Sequence, residues 1–230
     1  MGTIKPIETI YNGYRFRSRL EARWAVFFDS LGVEYEYEPE GFELPGVGVY
    51  LPDFRVICHA TRGSDCEPFP LYIEVKGQMD ESSAAKIKVF SYYDRIDAYC
   101  DSFPDNPTPS GRKSLLIVSN IPNVNYIEDI CDSRVMGSYD NMGFGLHPFN
   151  YETVDGDHFA AYPCVHHGRF GLLGDDCHYI HWGDHLHTLY AYQAAKQARF
   201  EHGEKPRLVR MNNRMELDES LETLRTFFPT

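Results

Sequence analysis

Over residues 17–31, Leu20, Trp24, Phe27, Phe28 and Leu31 fall on one face at helical spacing, and Gly32 follows as a stop; this pattern predicts an amphipathic helix. The period then changes to two. Val33-Glu34-Tyr35-Glu36-Tyr37-Glu38 alternates apolar or aromatic with acidic residues, as a half-buried strand does. Pro39 and Gly41 interrupt it, Phe42-Glu43-Leu44 reads as its continuation, and Pro45-Gly46 marks a turn. Residues 47–57 predict a second strand, 58–70 a polar loop and 71–75 a third strand. Residues 82–99 read as a helix, with Ala85, Ile87, Val89, Phe90, Tyr93 and Ile96 apolar. After a loop rich in Pro, Asp and Ser, residues 114–119 form an unbroken apolar run, the mark of a buried strand. Periodicity is weak over 121–185, returns as a helix over 186–202 before Gly203, and predicts a last helix over 217–227. The expected fold is α/β, with α and β mixed around one sheet: an αβββαβ core over residues 1–120 and an extension over 121–230 packed on it.

Composition narrows the class. A chain of 230 residues, 43% apolar and 14% aromatic, can bury one sizeable core. No apolar run approaches the length of a bilayer span, and the first residues resemble neither a secretory signal nor a myristoylation site. A cytoplasmic protein without a membrane partner is expected. Six cysteines at irregular spacing then read as reduced thiols or metal ligands. The net charge of −12 argues against bulk, non-specific binding to nucleic acid, but Arg15, Arg17, Arg19 and Arg23 cluster at the head of the first predicted helix.

The chemistry concentrates in two short stretches, Pro52-Asp53 and Glu74-Val75-Lys76. Glu74 and Lys76 are two apart on a predicted strand, so they share a face while Val75 points the other way. If the strand carrying Asp53 pairs beside it, two carboxylates and a lysine converge at one opening of the sheet. Carboxylates with open positions suit magnesium, and an ammonium beside them stabilises negative charge on a phosphate. Plainer readings are a turn aspartate after Pro52 and an exposed Glu–Lys strand pair. Glu21 lies at the border of the first helix's apolar stripe. Ser18-x-x-Glu21 also reads as a capping box.

Together these motifs resemble the PD-(D/E)XK nuclease superfamily. The segment from Tyr14 to Ala25 is similar to the first helix of Holliday-junction resolvases and of RecB-like or phage exonucleases, which carry an extra acidic residue there. The resemblance covers roughly residues 10–120. It implies a restriction-endonuclease-like core in a small phage or bacterial protein. It also implies hydrolysis of phosphodiester bonds, chiefly in DNA, with Mg2+ or Mn2+ and a 5′-phosphate product. Asp53 and Glu74 would be metal ligands, Glu21 would serve a second metal or reach the first through water, and Lys76 would orient water or stabilise the transition state. Arg15, Arg17, Arg19 and Gln78 would contact nucleic acid, although Arg17 and Arg23 equally suit salt bridges to the glutamates of the next strand. Many relatives cut as homodimers, but no interface pattern stands out here. The rival expectation is a weak or inactive nuclease-fold protein that binds nucleic acid or a partner protein.

Cys164-x-x-His167 and Cys177-x-x-x-His181 form a further constellation, with ligand types that suit a structural Zn2+ in a short knuckle. His166, His178, Cys58 and Cys66 offer alternative ligands. Ten histidines make chance pairings easy, so buried cysteines and surface histidines are the plainer reading.

Overall fold

The computed structural model describes residues 6–59, 68–78, 80–90, 115–125, 162–166, 169–173, 182–201, 204–206 and 208. A hairpin of β1 (Thr9–Tyr11) and β2 (Tyr14–Phe16) leads into α1 (Arg19–Leu31). Then come β3 (Tyr35–Tyr37), β4 (Phe42–Leu44), β5 (Gly48–Tyr50), β6 (Phe54–Cys58), β7 (Phe69–Val75), α2 (Glu81–Phe90) and β8 (Leu115–Val118). A hairpin of β9 (Tyr162–His166) and β10 (Arg169–Leu173) precedes α3 (Trp182–Gln197).

Local chemistry sets the ends of α1. Ser18 has extended backbone and its hydroxyl accepts from the Glu21 amide, an N-cap that stops the helix short of Arg17. Gly32 closes it in the left-handed region at φ 69°, where its amide and that of Val33 return to the carbonyls of Asp29 and Phe28.

The central sheet has the order β3-β6-β7-β8. β6 runs antiparallel to β3 and β7, whereas β8 is parallel to β7. The carboxyl ends of β3, β7 and β8 therefore lie at the same end of the sheet as the start of β6. Alternation along the strands divides the interior in two. On one face Phe54, Val56, Ile73, Val75, Leu116 and Val118 join Trp24, Phe27 and Phe28 of α1 and Leu189, Tyr192 and Ala195 of α3. On the other, Tyr72, Leu115 and Ile117 pack with Ile87 and Phe90 of α2 and with Leu44 and Tyr50 of the β4–β5 hairpin. A mixed α and β fold around a mixed sheet is what the periodicities predicted.

Several boundaries differ. Residues 47–57 are two strands, not one: β5 pairs with β4 and β6 with β3 and β7. Pro52 lies in the break, and proline has no amide to give a central ladder. Nor does Phe42–Leu44 continue β3. Glu38 turns the chain away at φ 47°, and β4 becomes an arm of the hairpin over Pro45-Gly46. Two hairpins were not anticipated. In the first, Asn12 and Gly13 both have positive φ, the conformation of a two-residue hairpin turn. The second joins the end of β6 through a bridge between His59 and Gly171 and a 2.8 Å bond from the His59 amide to the Phe170 carbonyl.

Described residues beyond 121 share the α1-side core. His187 Nε2 lies 2.9 Å from the Ser30 carbonyl, and Lys196 donates to the carbonyl of Ile121. Predicted helix positions 91–99 and 217–227 lie outside the described residues. Among those described, no helix is long and apolar enough to cross a membrane.

Phe54 is fully buried among Phe16, Phe28, Tyr35 and Tyr37, with ring centroids 5.4–6.0 Å away. Phe54→Ala is expected to lower stability by about 3–5 kcal/mol. Urea denaturation checks this, and a loss below about 1 kcal/mol would contradict this packing.

Candidate active site

Asp53 sits in the break immediately before β6. The register Phe54↔Ile73, carried one residue further, sets it opposite Glu74. Directly opposed residues in an antiparallel pair share a face, so the two carboxylates become neighbours. Asp53 Oδ2 accepts from the Val75 amide at 2.7 Å, which ties the break to the end of β7. In return, the Asp53 carbonyl accepts from the Glu38 amide at 2.8 Å. Lys76 is held by its own backbone, whose amide donates to the Val118 carbonyl at 2.8 Å and prolongs the parallel pairing of β7 and β8.

Glu74 is almost wholly buried, and both its oxygens have donors. Lys76 Nζ is 2.7 Å from Oε1, and the Tyr50 hydroxyl donates to Oε2 at 2.7 Å. Asp53 Oδ1 faces Arg17 Nη2 at 3.3 Å, and Arg17 Nε is 2.6 Å from Glu38 Oε1. The expected convergence of Asp53, Glu74 and Lys76 is thus present at one end of the sheet, with Arg17 added.

Glu21 is also buried, in the first turn of α1. Its carboxylate accepts from the Ser18 hydroxyl at 2.7 Å, the Arg17 amide at 3.0 Å and the Tyr37 hydroxyl at 2.7 Å. The reciprocal Ser18–Glu21 contacts realise the capping-box reading, with one change: the backbone amide captured is that of Arg17, one residue before the cap. Glu21 remains close enough to Asp53 to affect its ionisation.

The electrostatics are those of an under-compensated acidic cluster. Glu21, Glu38, Asp53 and Glu74 face two cations, Arg17 and Lys76. Burial raises the Asp53 pKa well above the ordinary value, and the charges of Glu74 and Glu21 add to the rise; the Val75 amide and Lys76 oppose it. Burial works against the Lys76 ammonium, but Glu74 and Asp53 more than offset this and hold its pKa above the usual lysine value. Tyr37 and Tyr50 are raised first by burial and then by their glutamate partners, so both phenols stay protonated donors at neutral pH.

Among the described residues, no three Asp, Glu, His or Cys side chains are grouped so as to hold a metal ion. Glu21 does not close up with Asp53 and Glu74 into one such set. The pair alone still fits magnesium, which commonly takes one or two carboxylates and completes its shell with water and substrate phosphate. The donors are hard oxygens, and a cation would offset the burial and the charges of Glu74 and Glu21 that raise the Asp53 pKa.

The other predicted contacts are dispersed. Arg15 pairs with exposed Glu8, and Arg19 with Glu201 at 2.6 Å. Arg17 carries the expected salt bridge to the glutamate after β3; Arg23 makes none among the described residues, and its Nε is buried without a partner. Gln78 is exposed just past β7. Of the zinc candidates, Cys164 lies on β9, while His167, Cys177 and His181 fall outside the described residues. Cys58 is buried, and burial pushes its thiol up to about 12, which suits a core residue and not a thiolate ligand.

Sequence periodicity did not single out Tyr50, Tyr37 or Glu38. Tyr50 and Tyr37 read only as apolar strand positions, and Glu38 as the last acidic position of an alternating run.

A carboxyl whose folded pKa is raised adds stability at low pH that is lost as pH rises through that folded value. Ionised Asp53 should therefore weaken the metal-free fold at neutral pH. Asp53→Asn in EDTA is expected to melt above wild type at pH 8, by roughly 2–4 °C per kcal/mol relieved, and the gap should close towards pH 4. Thermal unfolding across pH checks this; a variant less stable than wild type at pH 8 would contradict it. No protein-family model, curated protein or solved structure matches this chain.

Proposed function

We propose that the protein is a metal-dependent nuclease of the PD-(D/E)XK type, acting on phosphodiester bonds in DNA with Mg2+ or Mn2+ and leaving a 5′-phosphate. The observation that carries this reading is the joining of Asp53 and Glu74 across adjacent strands, with Lys76 2.7 Å from Glu74 and the Val75 amide bound to Asp53. The order of α1, β3, β6, β7, α2 and β8 supports it as the order of a restriction-endonuclease-like core. That support is analogy, whereas the site supplies the chemistry.

Asp53 and Glu74 would hold the ion, and Glu21 would serve a second metal or reach the first through water. A bound divalent cation supplies polarisation of the phosphate and a more acidic water. The chain's own groups do the rest. Lys76 keeps its proton at neutral pH, so it orients water and stabilises charge developing on the phosphate oxygens. Arg17 is partly exposed and reaches Asp53 from the solvent side, and its planar fork suits a phosphate.

The net charge of −12 and the pairing of Arg15, Arg17 and Arg19 with carboxylates favour a second reading, a nuclease-fold protein that binds without cutting. Wild type and the variants Asp53→Ala, Glu74→Ala and Lys76→Ala, offered plasmid, linear duplex, single strands and a four-way junction in EDTA, Mg2+ or Mn2+, separate the two. Metal-dependent cutting that falls at least about a hundredfold in each folded variant is the expected result. Variants that cut like wild type would overturn the site assignment, and binding with no cutting in either metal would favour the second reading.

A further inference from the structure

One contact at the site has no counterpart in the metal–carboxylate–lysine set. The Tyr50 hydroxyl donates to Glu74 Oε2 at 2.7 Å, and Tyr50 is only 6% exposed. Tyr50 ends β5, three residues before Asp53, on the far side of the Pro52 break. Its ring is fixed edge-on to Phe90 of α2 at 4.7 Å and shares a buried cluster with Tyr72, Ile87, Leu115 and Ile117. A ring packed in this way leaves its hydroxyl little freedom.

We infer that Tyr50 is a positioning residue for Glu74: its hydroxyl and the Lys76 ammonium each hold one of the two oxygens and keep the carboxylate in one orientation beside Asp53. This rests on the metal-site reading above. The need is electrostatic. Glu74 is buried beside the Asp53 carboxylate, and such a group swings away unless donors hold it. Lys76 alone is a rotatable point charge, whereas Tyr50 is a neutral donor set by packing. Partners that orient metal-binding groups in this way commonly affect metal affinity or activity by about ten- to a hundredfold. Glu21 has three donors, so the loss of Tyr37 would leave two, whereas Glu74 would keep only Lys76 of the pair named here.

Tyr50→Phe removes the hydroxyl and keeps the ring. Phe90→Leu loosens the ring's packing and keeps the hydroxyl. The test measures Mn2+ affinity by calorimetry and the Mn2+ dependence of cleavage for wild type and both variants, with folding followed by circular dichroism. The expected result is a dissociation constant and half-saturating Mn2+ about tenfold or more higher in Tyr50→Phe, with a smaller drop in rate at saturation. Phe90→Leu should melt earlier and weaken Mn2+ binding by less than Tyr50→Phe does, because the hydroxyl remains but is held less firmly. A Tyr50→Phe protein with wild-type Mn2+ affinity, beside a wild type that binds and cuts, overturns the role of Tyr50 and leaves the site reading standing. Equal weakening in both variants reduces Tyr50 to packing and also overturns it. A wild type that neither binds Mn2+ nor cuts overturns both readings.

Discussion

The bond from the Val75 amide to Asp53 is the joint on which this end of the molecule depends. Pro52 ends the β5 segment and prevents residues 47–57 from running as one strand. The freed carboxylate of Asp53 turns back to take an amide at the end of β7, and its carbonyl takes the Glu38 amide at the end of β3. One residue thus connects three strands. It also brings one buried carboxylate beside another, an arrangement that costs stability unless cations or donors offset it.

The rest of the fold supplies those offsets from both faces of the sheet. From the α1 side come Arg17 and the capped helix start that holds Glu21. From the α2 side comes Tyr50, set in its cluster by Phe90 and the β4–β5 hairpin. Lys76 follows β7 itself, its backbone carried by Val118. The two cores are therefore separate frameworks that meet at the carboxylates, each delivering groups the other cannot reach. Asp53 nevertheless keeps a raised pKa. On the proposed reading, a divalent cation would offset the burial and the neighbouring carboxylates that raise it.

Much of this was legible in the chain because it follows from local chemistry. The stripe of Leu20, Trp24, Phe27, Phe28 and Leu31, the Ser18 cap and the Gly32 stop define α1 within a few residues. The spacing of Glu74 and Lys76 sets them on one face of any strand that carries both. The split at Pro52 was written in the sequence too, as a missing amide, but the apolar character of its flanks concealed it. Asn12-Gly13 likewise signals a tight hairpin that the neighbouring helix pattern overshadowed. The β9–β10 hairpin had no comparable mark: Tyr162–Leu173 has little alternation, and its place depends on long-range contact with the end of β6. The tyrosine donors were illegible for a related reason. Periodicity says which way a ring points, but a hydroxyl's partner depends on the register of strands distant in sequence.

The central claim is that Asp53 and Glu74 together form a seat for a divalent cation. Crystals of the wild type soaked in Mn2+ and measured at the manganese absorption edge test it most directly. The account predicts an anomalous peak beside the Asp53 and Glu74 carboxylates, and its loss in Asp53→Asn. Fully soaked crystals with no peak beside those carboxylates, or with one that persists unchanged in Asp53→Asn, would contradict it.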